Sequence, residues 1–208
     1  MTARDDESAL ARALRRGLPV ADDHLAALRA RLAAAADADG VLDIAYRTMD
    51  TPVGVLLLAA TERGLVRVAY ASENHDGVLQ MLADLISPRI LHAPARLDPV
   101  AAELEEYFAG HRRAFDVPLD WRLSSGFRST VLNHLATDLG YGQTASYSTV
   151  ARLAGNPKAI RAVGTACATN PMPVVVPCHR VVRSDGSMGG YLGGIEAKRA
   201  LLTLEAAA

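Results

Sequence analysis

Val174-Val175-Val176-Pro177-Cys178-His179-Arg180 is the stretch from which the rest of the chain is read. Three β-branched residues favour an extended, buried approach, and Pro177 ends it by fixing its own φ and withholding an amide donor. The cysteine is followed at once by an imidazole and a guanidinium. Thiolate is the attacking form of cysteine, and nearby imidazole or positive charge raises its population. Two readings stand side by side here. The residue is either a nucleophile or a small apolar filler of the core, a common place for free cysteine.

Downstream, Ser184 to Gly194 holds five glycines within nine positions, a loop that permits close backbone contacts. A last helix is expected over Ile195–Glu205, with Leu201, Leu202 and Leu204 on its apolar side. Upstream, Pro171, Pro173 and Pro177 stiffen the approach to the cysteine. Ser148 is the expected N-cap of a short helix, Thr149–Ala154. Gly155-Asn156-Pro157 then makes a tight turn, with Pro157 at the first position of a second helix that runs through Ala166 and is closed by Asn170-Pro171. Helix, turn and helix in this order have the form of a helix-turn-helix. The second helix carries Lys158 and Arg161 among the small residues Ala159, Ala162, Gly164 and Ala166, a mix suited to a backbone that must approach something closely. Ahead of this pair, Phe127, Val131, Leu132 and Leu135 mark one face of a helix ending near Gly140.

The first 121 residues have a different character. Residues 8–38 are expected to be helical, with Leu10, Leu14 and Leu18, then Leu25, Leu28 and Leu32 after Pro19, and a stop at Asp37-Ala38-Asp39-Gly40. From Val41 the pattern turns to β. Leu42, Ile44 and Tyr46 alternate, Val53–Leu58 is a buried strand, and Leu65, Val66, Val68 and Tyr70 form a third. Helices follow from about Asp76 to Leu85 and from Asp98 to Ala109, the latter ended by Gly110. Phe115–Leu119 is an edge or linking strand, given its proline. No reactive cluster stands out in this half, so it is expected to support the other.

The chain has 208 residues, half of them hydrophobic, which suits one generous domain or two small ones. Its longest apolar run, Val53–Ala60, is too short to cross a membrane, and the acidic start is unlike a secretory signal. Cys167 and Cys178 are the only cysteines, so a reduced, cytoplasmic protein is expected. Net charge is −1, but it is unevenly divided: from Arg122 onward nine Lys/Arg face four Asp/Glu, whereas the first 121 residues hold 13 basic and 19 acidic groups. A basic C-terminal part suggests a polyanionic partner.

Ser146-Tyr147, Gly155-Asn156-Pro157, Arg161-Ala162-Val163-Gly164, Asn170-Pro171, Pro177-Cys178-His179-Arg180-Val181, Gly189-Gly190-Tyr191, Gly193-Gly194, Lys198, Leu201-Leu202 and Glu205 stand in one order. This series resembles the O6-alkylguanine-DNA alkyltransferase family over about Phe127–Glu205. A weaker likeness reaches back through Tyr107-Phe108-Ala109-Gly110 and Thr51-Pro52-Val53-Gly54. The resemblance implies an α/β N-terminal domain with a ribonuclease-H-like sheet over 41–121 and a mainly α C-terminal domain with a DNA-binding helix-turn-helix over 122–208. Residues 1–40 are then a helical extension with no counterpart in the family. The implied activity is irreversible, single-turnover transfer of an alkyl group from O6-alkylguanine in double-stranded DNA to Cys178, with O4-alkylthymine left open as a second lesion.

Further roles follow from the resemblance. His179 would take the thiol proton through a water, Glu205 would orient His179, and Asn170 would order the loop. Tyr147 would bond the base ring and donate a proton. Arg161 would fill the space of the extruded nucleotide, with Ala162 and Gly164 allowing close approach and Lys158 touching phosphate. Tyr191, Pro173, Val181, Leu192 and Cys167 would wall the base pocket, with the carbonyls of Cys178 and Val181 reading the guanine amine. No metal or organic cofactor and no membrane partner are implied, and a monomer is expected. The chain has no cysteine before Cys167, so the cysteine-rich zinc domain of family members that act as transcription factors is not expected.

Three departures from the family pattern matter. Phe127-Arg128 and Val131-Leu132 stand where Phe-Gln and Val-Trp are common, which bears on packing. Leu192 stands where some members carry serine, leaving only a backbone N–H to meet the lesion oxygen. Three other readings remain at this stage: a lesion-binding relative that does not transfer, a Cys–His hydrolase, and a helix-turn-helix regulator.

Overall fold

A computed structural model describes residues 22–207 of the chain. The expected contacts of Leu10, Leu14 and Leu18 lie outside those residues. The chain divides into two compact units between Val41 and Leu42. The first contains helix α1 (Asp22–Ala38), whose Leu25, Leu28 and Leu32 are exposed. The expected parts 41–121 and 122–208 pack together in the second unit.

The sheet is built from β1 (Ile44–Met49), β2 (Leu56–Thr61), β3 (Gly64–Tyr70) and β4 (Ile90–His92), in the order β3-β2-β1-β4. β1 and β2 pair antiparallel, with Arg47 opposite Leu58, and β2 continues antiparallel to β3, with Leu58 opposite Val68. β4 runs parallel to β1, Ile44 opposite Ile90, and so needs the crossover that α2 (His75–Leu85) supplies. Val78 and Leu82 of α2 close a core with Ile44, Leu57, Ala59, Val66 and Ala69. Helix α3 (Asp98–Phe108) follows, burying Val100, Ala101, Leu104 and Tyr107.

Two β expectations change. The second strand starts at Leu56, not Val53, because Thr51 builds a turn: its Oγ1 accepts from Val53 N at 3.2 Å and donates to Gly54 O at 2.6 Å. Phe115–Leu119 makes a single bridge, Leu119 to Leu65, rather than a strand. Leu65 N donates to Pro118 O and Asp120 N to Leu65 O, both at 2.8 Å, which satisfies that edge with two bonds. β4 is too short to show a period in the sequence.

The helical part comprises α4 (Gly126–Asp138), α5 (Tyr147–Leu153), α6 (Ile160–Ala168) and α7 (Gly194–Ala206). Val131, Leu132 and Leu135 of α4 are buried, as are Val150 and Ala151 of α5 and Val163, Ala166 and Cys167 of α6. A two-stranded parallel ribbon joins β5 (Ala145–Ser146) to β6 (Val181–Val182). The N-cap of α5 is Ser146 rather than Ser148, its side chain accepting from Thr149 N at 3.1 Å. α6 begins at Ile160, not Pro157. Asn156 holds the intervening turn by accepting Lys158 N on its side chain and Ala159 N on its carbonyl, which places Lys158 in the turn and outside the helix.

Gly64 opens β3 at φ +129, and a Cβ there would stand 2.2 Å from Pro118 O. Both the dihedral and the contact exclude a side chain. Gly64→Ala is expected to cost at least about 2 kcal/mol in urea unfolding, without changing the m-value.

Candidate functional site

Pro171 to Arg180 is buried throughout, and Cys178 opens a short 3-10 turn, Cys178–Arg180, at its end. Val174 sits at φ 74, a left-handed conformation that a β-branched residue adopts only when its surroundings over-determine it. Here they do. Val176 N donates to Met172 O and Cys178 N to Val176 O, both at 2.8 Å. Asn170 spans the loop: its Oδ1 accepts from Met172 N at 3.0 Å, while its Nδ2 donates to Val176 O at 2.8 Å and to Cys178 Sγ at 3.1 Å. The loop thus presents its sulfur in one position.

Behind the sulfur lies a charge network centred on Glu205 of α7. Oε1 of Glu205 accepts from Tyr107 at 2.7 Å, from Arg180 Nη2 at 2.9 Å and pairs with His179 Nε2 at 2.8 Å. Oε2 accepts from Arg180 Nε at 2.9 Å and from Gly142 N at 3.1 Å. Burial alone would raise this carboxyl, but the bonds from His179, Arg180 and Tyr107 outweigh it and hold the pKa at about 2. Burial also keeps His179 below its ordinary value, against the pull of Glu205. A neutral imidazole facing an ionised carboxylate carries its proton on Nε2, so Nδ1 is a bare acceptor. That Nδ1 is buried and has no hydrogen-bond partner among the described residues.

Cys178 is 2% exposed. Burial pushes its thiol up to about 11, against the opposing influence of the Asn170 bond and the Lys198 charge. At that pKa only about one molecule in 10⁴ carries a thiolate at pH 7. The expectation that the adjacent imidazole and guanidinium raise the thiolate population is therefore corrected. Both are committed to Glu205, and the resting sulfur is protonated.

The other expected residues gather around this centre. The β5–β6 pairing sets Ser146 opposite Val182 and so brings Tyr147, at the start of α5, beside the loop after the thiol turn. Burial raises the Tyr147 phenol, keeping it a proton donor. A Cβ on Gly189 would come within 2.5 Å of the Tyr147 hydroxyl, so the glycine is required for the loop to close on that ring. Tyr191 meets the His179 ring edge-on, with centroids 6.3 Å apart. Pro173 and Val181 are buried at the thiol loop, and Cys167 is a buried free thiol of α6. Leu192 lines a cavity of about 400 Å³ shared with Asn170, Pro171 and Arg67. Val181's carbonyl, expected to meet the base, already accepts the buried Lys198 Nζ at 2.6 Å.

Arg161 and Ala162 are exposed on α6, and Gly164 is half-buried with no heavy atom within 4 Å of a built Cβ. That face is free to approach a partner. Tyr107 and Arg180 join the Glu205 network and Lys198 holds the Val181 carbonyl, roles that motif position alone does not give them. A signal existed for Lys198: with Ala197, Leu201 and Glu205 it falls on the buried stripe of α7, where an unpaired cation is costly.

Fold and site together define a class: a helix-turn-helix protein with a buried cysteine backed by an imidazole and a carboxylate. The family model described as "6-O-methylguanine DNA methyltransferase, ribonuclease-like domain" matches residues 44–121, and the one described as "6-O-methylguanine DNA methyltransferase, DNA binding domain" matches 126–207. A methylated-DNA–protein-cysteine methyltransferase of Mycobacterium tuberculosis is 41% identical over 165 residues, covering 78% of this chain and 92% of the relative. A mouse protein of the same name is 38% identical over 161 residues, covering 73% and 76%. The crystal structure of the M. tuberculosis O6-methylguanine methyltransferase superposes with a TM-score of 0.69 at 37% identity, covering 79% of this chain and 93% of that one. A structure of the M. tuberculosis protein in complex with DNA gives a TM-score of 0.67 at 38% identity, with coverage of 78% and 93%. The chain belongs to the 6-O-methylguanine DNA methyltransferase family.

The depressed Glu205 pKa makes stability depend on pH with a definite sign. A carboxyl at about 2 in the fold and 4.5 ordinarily contributes stability that is complete above about pH 4.5 and is lost as pH falls toward 2. Glu205→Gln should remove that contribution, on the order of 3 kcal/mol at neutral pH, and flatten the pH dependence of the urea midpoint between pH 5 and pH 2.

Proposed function

We propose that this protein repairs DNA carrying O6-alkylguanine by transferring the alkyl group irreversibly to Cys178, restoring guanine and consuming itself. The observation that carries this reading is a sulfur held by Asn170 next to a histidine whose Nε2 is locked on Glu205 and whose Nδ1 is bare. The relatives named methylated-DNA–protein-cysteine methyltransferase support the reaction class, and the M. tuberculosis complex with DNA supports the partner.

The chemistry follows from the geometry. The alkyl carbon on guanine O6 is an sp³ electrophile with the base as leaving group. The Cys178 proton passes to His179 Nδ1 through a bridging water as the sulfur attacks, forming the C–S bond and breaking the C–O6 bond. Guanine leaves with its electron pair and is protonated on the ring by the phenol of Tyr147, and the phenolate left behind, whose pKa burial raises, takes a proton back from solvent. The imidazolium is stabilised by the Glu205 carboxylate, which needs no proton of its own. A thioether has no leaving group that water can displace, so one chain serves one lesion. O4-alkylthymine presents the same carbon on the same kind of oxygen and is the second lesion tested below.

A base inside a duplex does not reach a sulfur that is 2% exposed, so the nucleotide must be extruded. Arg161, exposed on α6, fills the gap; Ala162 and Gly164 let the helix backbone close on the groove, and Lys158 in the turn meets phosphate. The work divides between 41–121, which braces the site, and 122–208, which binds DNA and accepts the alkyl group. A reduced thiol acting on genomic DNA belongs in the cytoplasm of a cell without a nucleus, or wherever its DNA lies.

Duplex DNA with radiolabelled O6-methylguanine should leave one label per chain, on the tryptic peptide of Cys178, and Cys178→Ala should take none. Substituting O4-methylthymine in the same duplex reads the second lesion directly. DNA binding without label, or turnover of an acyl ester, would overturn the proposal. Arg161→Ala should slow reaction with the duplex by about tenfold or more while leaving free O6-benzylguanine within about twofold. Equal loss on both would remove Arg161 from the extrusion step.

A further inference from the structure

Arg67 and Glu73, neither assigned a role by sequence or resemblance, form an ion pair at the edge of β3 with side-chain exposures of 9% and 14%. A buried guanidinium is costly unless its donors are met. Here the two terminal nitrogens are met by Glu73 and by the backbone that carries the site, while Nε has no hydrogen-bond partner among the described residues. Arg67 Nη1 lies 3.1 Å from the carbonyls of Val68 and Pro171 and 3.4 Å from that of Asn170, while Nη2 donates to Glu73 Oε2. Val68 N adds a direct bond to Pro171 O at 2.8 Å. Asn170 is the residue whose side chain bonds Cys178 Sγ. One arm of the pair thus ends at the sulfur.

The other arm leads to the imidazole. Glu73 Oε1 accepts from Tyr70 N at 2.9 Å, and the Tyr70 hydroxyl is 2.9 Å from that of Tyr191. Tyr191 in turn packs edge-on against His179. Tyr70 is only 3% exposed, so its ring has little room to move.

We propose that the Arg67–Glu73 pair is a positioning device for alkyl transfer, fixing Asn170 on one side and the Tyr70–Tyr191 wall on the other, so that the sulfur and the imidazole keep their relative placement. The proposal rests on Cys178 being the acceptor. It assigns to the sheet half a part in the chemistry, exerted through Asn170 and Tyr191 and without contact with substrate.

Single-turnover kinetics on O6-methylguanine duplex test it, with free O6-benzylguanine as a second substrate. Arg67→Met should lower the maximal transfer rate by about tenfold or more, because misplacing a reacting atom by an ångström costs that much, and leave the half-saturating DNA concentration within about twofold. Free O6-benzylguanine should slow by the same factor, since the defect lies at the sulfur. Glu73→Gln, the milder change, should slow transfer less. The double variant should be no slower than Arg67→Met, because the two residues act as a unit. Arg67→Lys, which keeps a cation beside Glu73, should recover part of the rate. Thr61→Val provides the comparison: it breaks the buried bond of Thr61 to Asp120 at 2.6 Å in the same half, lowering stability with the transfer rate unchanged. A rate for Arg67→Met within about twofold of wild type, additive losses in the double variant, or an equal rate loss in Thr61→Val would overturn the proposal. Absence of label on Cys178 in the wild-type protein would instead overturn the reading on which it stands.

Discussion

Five donors converge on one carboxylate, Glu205, and the site is assembled around that convergence. An ionised carboxylate taken out of water is tolerated only when its lone pairs are filled, and a buried arginine only when its fork is matched. Glu205 and Arg180 solve both problems for each other. The bonds also join distant parts of the chain: Tyr107 comes from α3, Gly142 from the loop before β5, His179 and Arg180 from the thiol turn. Removing the carboxylate would leave a buried guanidinium facing a neutral imidazole and an unpaired phenol, the costly kind of disruption. The same bonds that stabilise the packing of the sheet half against the helical half therefore set the tautomer of His179.

That arrangement changes how the nucleophile must work. A cysteine beside a histidine and an arginine suggests a standing thiolate, but both neighbours bond Glu205 of α7, and burial of the sulfur outweighs its bond from Asn170. Lys198, whose charge favours the thiolate, is committed to the Val181 carbonyl and only partly offsets desolvation. Ionising a thiol whose pKa is about 11 at neutral pH costs about 5 kcal/mol, which coupling deprotonation to attack, as in the proposed reaction, avoids. In the proposed reaction the bare Nδ1 of His179 takes the proton at that moment. A protonated, 2% exposed sulfur is also poorly reactive toward small electrophiles in solution, which matters in a protein that can react once.

How far these features could be read from the sequence follows from the range of the interactions behind them. The strands from Ile44 and Gly64, the helices from His75 and Asp98 and the helix-turn-helix all announce themselves through local period and turn residues. Ser146 and Ile160 displace the expected helix starts because side-chain bonds inside the turns decide them. Position in the motif located Cys178, His179, Glu205 and Asn170, but the charge state of the sulfur depends on burial and on where neighbouring charges point. Arg67 was invisible for the same reason. An arginine in the middle of an otherwise apolar strand, Gly64–Tyr70, resembles a solvent-facing residue until its partners, over 100 positions away, are placed.

Single use relaxes one demand on this site and tightens another. A turnover enzyme must release product and restore its nucleophile, so its catalytic groups need freedom to relax. Nothing here needs to return. The loop can hold Val174 in a left-handed conformation and lock Asn170 to both Val176 and Cys178, spending folding energy on a geometry used only once. What it cannot tolerate is misplacement, since an unproductive encounter between a fixed sulfur and an extruded base is not averaged over later cycles. Rigid support from a sheet is a natural solution: β3 is hydrogen-bonded to β2 along one edge and to Pro118, Asp120 and Pro171 through its own backbone. The half of the chain that carries no reactive residue thereby sets the precision of the half that does.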